Sequence, residues 1–109
     1  MTTLDEIADM ARRVNEKYCQ RHGITPDADW YVLKLQEETG EAAAAHLAAL
    51  GRHRRSGDTD AVGQELADVI CFALLIAGEH GVDIEAAIHK KWAVHDESPK
   101  PPGTPGTSL

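Results

Sequence analysis

Five acidic residues stand at spacings that could bind a metal ion. Glu37, Glu38 and Glu41 form an E-E-x-x-E pattern, and Glu65 and Asp68 form an E-x-x-D pattern further along the chain. Residues three or four positions apart lie on the same side of a helix, so each group presents its carboxylates together. Two such helices packed antiparallel would bring both groups to one point. Mg²⁺ and Mn²⁺ prefer oxygen ligands, so the spacing predicts a site for one of these cations.

The elements that must position these acids are predicted to be helices. Apolar residues recur at helical intervals, and no segment alternates with the period of a strand. The predicted helices run from about Leu4 to Arg21, from Thr25–Pro26 to Leu50, from about Thr59 to His80, and from Asp83 to about His95. Thr3, Thr25 and Asp83 are the predicted caps of the first, second and fourth of these helices. We therefore expect an all-α domain over residues 1–97. A Pro/Gly-rich tail at 98–109 is predicted to be disordered.

The third predicted helix places an acid in an apolar setting. From Leu66 to Ala77 its only polar side chain is Asp68. A helix that is apolar on all sides is buried, either at the centre of a bundle or at a subunit interface. Asp68 is therefore expected in or beside a core. A carboxylate buried there needs a cation, a hydrogen-bond donor or a metal.

The second predicted helix also places acids in an apolar setting. Glu37 falls within a stripe of apolar and small residues that is expected to face the core, which comprises Leu33, Gly40, Ala44 and Leu47. Glu38 and Glu41 lie beside that stripe. Lys34 precedes Glu38 by four residues and is a candidate ion-pair partner. Taken alone, E-E-x-x-E is also common on solvated helix faces, and it is the apolar setting of both groups that favours a metal site.

Composition excludes several classes of function. The chain has 109 residues, with 18 acidic against 11 basic residues and a net charge of −7. This suits one domain, and the charge would repel a nucleic acid polymer. The apolar run is too short to span a bilayer, and no signal peptide is visible, so a soluble cytoplasmic protein is expected. A nucleotide could still bind if a metal ion neutralised its phosphates.

Other catalytic and metal chemistries lack their residues. The histidines form neither the Glu-x-x-His pairs of a di-iron bundle nor a zinc spacing with cysteine. No glycine-rich phosphate loop is present. Cys19 and Cys71 are too few for a disulfide framework and are interpreted as structural.

The segment from about Trp30 to Trp92 resembles the MazG-like nucleotide pyrophosphohydrolases. These belong to the all-α NTP pyrophosphatase superfamily, which also includes dCTP pyrophosphatases and phosphoribosyl-ATP pyrophosphatase. The resemblance rests on the two acidic motifs, their spacing, and the sequence GVDIE at 81–85. It implies a four-helix bundle, a homodimer or homotetramer, and hydrolysis of a (d)NTP to (d)NMP and pyrophosphate.

The resemblance also implies roles for individual acids. It implies Mg²⁺, with Mn²⁺ as an alternative, bound by Glu38, Glu41, Glu65 and Asp68. Glu37 would be an additional acid at or behind the metal. Glu37 or Glu38 would orient the attacking water or accept its proton. Removal of unwanted nucleotides is a cellular role that fits this chemistry.

Candidate substrate contacts are basic or aromatic. Lys90 and Lys91 on the fourth helix could bind phosphate, although the asparagine that often follows such a lysine by four residues in the family is missing. The basic loop GRHRRSGD at 51–58 contains three arginines, and Arg54 is the candidate phosphate contact among them. The alternative is that this loop is a solvated turn without a role in binding. Lys34 is a further candidate, and Trp30 could stack on a base or pack in the core.

Two other functions stay open at this stage. The first is phosphoribosyl-ATP hydrolysis, within the same superfamily. The second is a non-catalytic helical interaction module whose acids are structural or merely bind metal. The complete set of acids disfavours the second.

Overall fold

A computed structural model describes residues 3–97 of the protein. Within that range the chain is all-helical and has no strand. The α-helices are α1 (Leu4–His22), α2 (Ala28–Ala49), α3 (Thr59–Glu79) and α4 (Ile84–Trp92), followed by a short 3₁₀ helix at Ala93–His95. The predicted all-α class is thus confirmed there, whereas the tail predicted to be disordered, 98–109, lies outside the described residues.

Polar side chains fix the starts of α1 and α2. The Thr3 hydroxyl accepts a hydrogen bond from the Glu6 amide at 3.2 Å, which confirms the predicted cap of α1. The predicted start of α2 is wrong. Asp27, rather than Thr25, caps that helix by accepting from the Trp30 amide at 2.8 Å. A carboxylate is favoured beside the positive end of the helix dipole, so the helix begins after Asp27 and not at Pro26.

The last helix is shorter than predicted. Asp83 caps α4 by accepting from the Ala86 amide at 3.1 Å, as expected. The α-helix ends at Trp92, and a 3₁₀ turn carries the chain to His95. Helix ends commonly tighten in this way because the last carbonyls lack i+4 donors.

The helix pair α2–α3 dominates the packing, and α1 lies against α3. In the described part of the chain, α4 makes no extended contact with α1, α2 or α3. The buried apolar side chains are small or few, namely Ala11 and Cys19 of α1 with Leu74 and Ala77 of α3. One copy of the chain therefore builds only a thin core.

The helix α3 is not buried on all sides within one chain. Leu66 and Ile70 are about half exposed, and only Leu74 and Ala77 of this helix are buried. The expected core-facing stripe on α2 is also turned outward, since Leu33 is 67% exposed. The side of α2 that meets α3 instead carries Glu38, whose carboxylate lies with those of Glu65 and Asp68. A single chain therefore leaves α3 partly exposed, although α3 packs against both α1 and α2.

The helix α3 also passes a length and composition test for membrane spans. Its most apolar 18-residue window has a mean hydropathy of 1.7, and 17% of that window is buried. It is long and apolar enough to cross a bilayer, but the core helix of a soluble protein passes the same test.

Candidate metal centre

Carboxylates from both acidic motifs meet where α2 packs against α3. Glu38 of α2 and Glu65 and Asp68 of α3 each offer an oxygen atom, and these oxygens all lie within 4.8 Å of one another. Glu65 and Asp68 are three residues apart and so share a side of α3. Asp68 is expected in or beside a core, but it is exposed in a single chain. The packing of the two helices supplies Glu38 opposite them. The predicted convergence of the motifs is therefore present for three of the five acids.

Two oxygens of this cluster have no partner. Glu38 is only 8% exposed, and its Oε2 and the Oε2 of Glu65 are buried without a hydrogen-bond partner among the described residues. Buried polar atoms are normally paired because an unpaired one costs about 1–3 kcal/mol. The arrangement is therefore incomplete without a proton or a cation.

The electrostatics of the cluster also favour a bound proton or cation. Burial raises the pKa of Glu38, and the nearby charges of Glu41 and Asp68 raise it further. The pKa of Glu65 is raised by desolvation and then by the same two neighbours. Repulsion of this kind makes the cluster a strong acceptor of positive charge. An all-carboxylate donor set, without nitrogen or sulfur, suits a hard cation such as Mg²⁺ or Mn²⁺.

Lys34 supplies one positive charge at the edge of the cluster. Its ammonium lies 3.7 Å from Oε1 of Glu38 and 3.3 Å from Oε2 of Glu37. Burial lowers the pKa of Lys34, but the hydrogen bond and charges of these glutamates outweigh that effect and leave it raised. One lysine shared by two carboxylates does not reach the unpartnered Oε2 atoms. It neutralises only part of the negative charge.

Glu37 and Glu38 occupy different environments although they are adjacent. The Glu37 side chain is 55% exposed, pairs with Lys34, and is not part of the carboxylate cluster. The predicted additional acid behind the metal is therefore on the outer side of α2 in this chain. Glu41 is exposed but close enough to raise the pKa of both Glu38 and Glu65.

Cavities open on both sides of the carboxylates. One has a volume of about 340 Å³ between α1, α2 and α3 and is mostly apolar, with Glu38 and Asp68 in its wall. The other, of about 400 Å³, lies between α2, α3 and the loop that joins them, with Glu41 and Glu65 in its wall. The cluster is thus accessible from two directions.

The remaining predicted site residues are dispersed. Trp30 is half-buried, and the centre of its ring lies 6.0 Å from that of Phe72. Phe72 lines the apolar cavity, whereas Trp30 does not. Arg54 is exposed and lines neither cavity. Lys90 and Lys91 are exposed on α4, away from the α2–α3 pair. Their phosphate contacts stay a prediction.

Sequence reasoning missed Asn15, which lines the apolar cavity. Asn15 is buried, and its Nδ2 donates to the Tyr31 hydroxyl at 3.4 Å. The signal was available, because Asn15 stands four residues from both Ala11 and Cys19 on the buried side of α1. In the basic loop, the spacing alone could not single out Arg55, which lines the other cavity.

Comparison with known proteins adds no assignment: no family model, curated protein or solved structure matches the chain.

Proposed function

We propose that the chain is a Mg²⁺-dependent nucleoside triphosphate pyrophosphohydrolase with a MazG-like four-helix fold. It would convert a (d)NTP to a (d)NMP and pyrophosphate. The observation that carries the proposal is the meeting of Glu38, Glu65 and Asp68, drawn from two distant motifs, with two buried oxygens unpartnered. A hydrolase that handles a triphosphate in an acidic protein needs such a cation site.

The residues that would hold the cation are Glu38, Glu41, Glu65 and Asp68. When bound, Mg²⁺ offsets negative charge on the phosphate oxygens and makes water more acidic. Water adds to the α-phosphorus, the bond to the bridging oxygen breaks, and pyrophosphate leaves. Glu38 is better placed than Glu37 to orient that water and take its proton, because Glu38 lies in the cluster while Glu37 pairs with Lys34.

The apolar cavity is the proposed place for the nucleoside. Its volume of about 340 Å³ falls within the range of small-molecule sites. Tyr18 and Phe72 provide aromatic walls, and Lys34 and Asn15 provide polar groups at the same cavity. A base could stack on the rings while its polar edge meets Asn15.

A homodimer or homotetramer is part of the proposal. Leu33 on α2, Ile70 on α3 and Trp92 on α4 are all more than half exposed, Trp92 at 70%. We propose that these side chains belong to a surface that contacts another copy of the chain. A second copy would cover them and complete the thin core.

A soluble, cytoplasmic location is also proposed. The helix α3 is apolar enough for a membrane, yet Glu65 and Asp68 on it belong to a cluster of charges shared with α2. Ionisable residues within a lipid-facing helix are costly. A subunit interface accounts for the apolar surface of α3 without that penalty.

Product analysis tests the proposal directly. The protein is incubated with each common NTP and dNTP, with Mg²⁺ or with EDTA, and monophosphate, pyrophosphate and orthophosphate are quantified separately. We expect Mg²⁺-dependent monophosphate and pyrophosphate, reduced about a hundredfold in Asp68→Asn because this variant lacks a carboxylate that would hold the cation. Asp60→Asn, on the same helix but outside the cluster, is the matched control.

Other products would overturn the assignment. Orthophosphate with a nucleoside diphosphate would mean that a different bond is cut. No product from any common nucleotide, with Mg²⁺ still bound, would favour a different substrate or a non-catalytic helical module.

A further inference from the structure

The loop between α2 and α3 brings basic side chains to the carboxylate cluster. The cavity of about 400 Å³ beneath this loop has Glu41 and Glu65 on one side. His53, Arg55 and Ser56 of the loop lie on the other side. The cavity therefore combines metal-binding carboxylates with groups that bind anions.

The loop is held against the end of α2 rather than extended into solvent. The Arg52 amide donates to the Leu47 carbonyl at 2.7 Å, and the Arg55 amide donates to Nδ1 of His53 at 3.1 Å. A Cβ at Gly57 would lie 2.9 Å from that of Ala48, so the backbone approaches α2 as closely as glycine permits. These contacts hold the backbone of the loop beside the cavity that Arg55 lines.

The cavities on the two sides of the cluster differ in chemistry. The cavity between α1, α2 and α3 is mostly apolar, and Lys34 is the one cation among the described residues that line it. The loop cavity has an arginine, a histidine and a hydroxyl around the carboxylates. Arginine binds phosphate through a planar fork of donors, and a metal held by carboxylates binds the same oxygens. Four alanines line the same cavity, and its charged and polar groups fit a polyphosphate.

We infer that the loop cavity binds the diphosphate end of the substrate, with Arg55 as its principal phosphate ligand and His53 and Ser56 beside it. The inference rests on the proposed function for the identity of that substrate. It fixes the direction in which the triphosphate crosses the carboxylate cluster. The nucleoside lies on the α1 side, and the two phosphates that leave lie under the loop.

Calorimetric titration of the full-length protein with inorganic pyrophosphate in the presence of Mg²⁺ tests the inference without turnover. We expect Arg55→Ala to weaken pyrophosphate binding about tenfold or more, because it removes a charge-assisted hydrogen bond. Arg55→Lys, which keeps the charge but loses the fork, should weaken it less. Arg13→Ala, an exposed arginine of α1 that lines neither cavity, controls for the loss of one positive charge.

Orthophosphate and a nucleoside monophosphate are titrated in parallel. Tighter, Arg55-dependent binding of pyrophosphate than of either one supports a site for a diphosphate. Equal binding of orthophosphate and pyrophosphate would reduce the cavity to a general anion site and overturn the inference. Unchanged pyrophosphate affinity in Arg55→Ala, or no pyrophosphate binding while Mg²⁺ still binds, would also overturn it.

The two proposals can fail separately. Arg55-dependent pyrophosphate binding without nucleotide hydrolysis would leave the inference standing and remove the proposed function. Hydrolysis with an unchanged KM and unchanged pyrophosphate inhibition in Arg55→Ala would remove the inference and leave the proposed function standing.

Discussion

Two positions of α2 depart from the pattern usual for a helix of a soluble protein. Glu38 lies on the side that faces α3 and is buried, whereas Leu33 lies on the solvent side and is 67% exposed. Amphipathic helices normally place apolar residues inside and charges outside. Glu38 therefore needs a compensating partner, and Leu33 is available for contact with another molecule. We assign a cation to the inner side and a second copy of the chain to the outer side.

The adjacent acids Glu37 and Glu38 test whether a cation binds on the inner side of α2, and this test has the largest expected effect. At a Mg²⁺ concentration about one hundredfold above its Kd, binding would stabilise the folded protein by about 2.7 kcal/mol. For a domain of this size that raises Tm by roughly 10 °C or more. Glu38→Gln should abolish most of this rise and Glu37→Gln should retain it, as measured by thermal unfolding with Mg²⁺ and with EDTA. An equal loss in both variants would place the metal on the outer side as well.

Substitution of Leu33 tests whether a second copy of the chain covers the outer side of α2. Burying a leucine is worth about 1.5–3 kcal/mol, so Leu33→Lys should weaken self-association by about tenfold or more. Sedimentation of the wild type and variant over a micromolar range measures the change. Gln20→Lys places the same charge at an exposed position of α1, on a different helix from Leu33. This variant should associate like the wild type. A wild type that sediments only as a monomer would contradict the assignment of the outer side to a second copy.

The pH dependence of stability gives a smaller effect that reports on the inner side alone. The pKa values of Glu38 and Glu65 are raised above the ordinary 4.5, so the folded protein binds more protons than the unfolded chain just above that pH. Stability of the metal-free protein should therefore fall as pH rises from 4.5 through the raised values and stay at the lower level above them. Urea unfolding in EDTA at several pH values measures this trend, which Glu38→Gln should flatten.

The stabilisation that Mg²⁺ adds should change with pH in the opposite direction. Protons compete with the cation for the carboxylates, so the stabilisation by Mg²⁺ should grow as pH rises through the same range. If the metal-free protein instead gains stability over that range, Glu38 and Glu65 are not held in a repulsive cluster.

Local features of the fold could be predicted from the sequence because their causes are local. The caps at Thr3 and Asp83 follow from short side chains next to a helical pattern, and both are confirmed. Thr25 was the wrong choice for α2 because Asp27, two residues later, competes for the same role with a charged acceptor. Such competition between neighbouring caps is not resolved by spacing.

The acids of the candidate site were found from their types and intervals. Their division into buried and exposed members was not, since Glu37 was expected on the apolar stripe with Leu33 and both are exposed. The choice of Arg55 over Arg54 in the loop likewise needed the position of the loop on α2.

Periodicity and interactions within a few residues along the chain are enough to predict that residues 3–97 are mostly helical. They also predict that Glu65 and Asp68 share a side of their helix, as Glu38 and Glu41 do. The packing of the helices is needed to show which side of α2 faces α3, and hence that Glu38 rather than Glu37 joins Glu65 and Asp68. That side depends on contacts between residues far apart in the chain, which local periodicity does not specify.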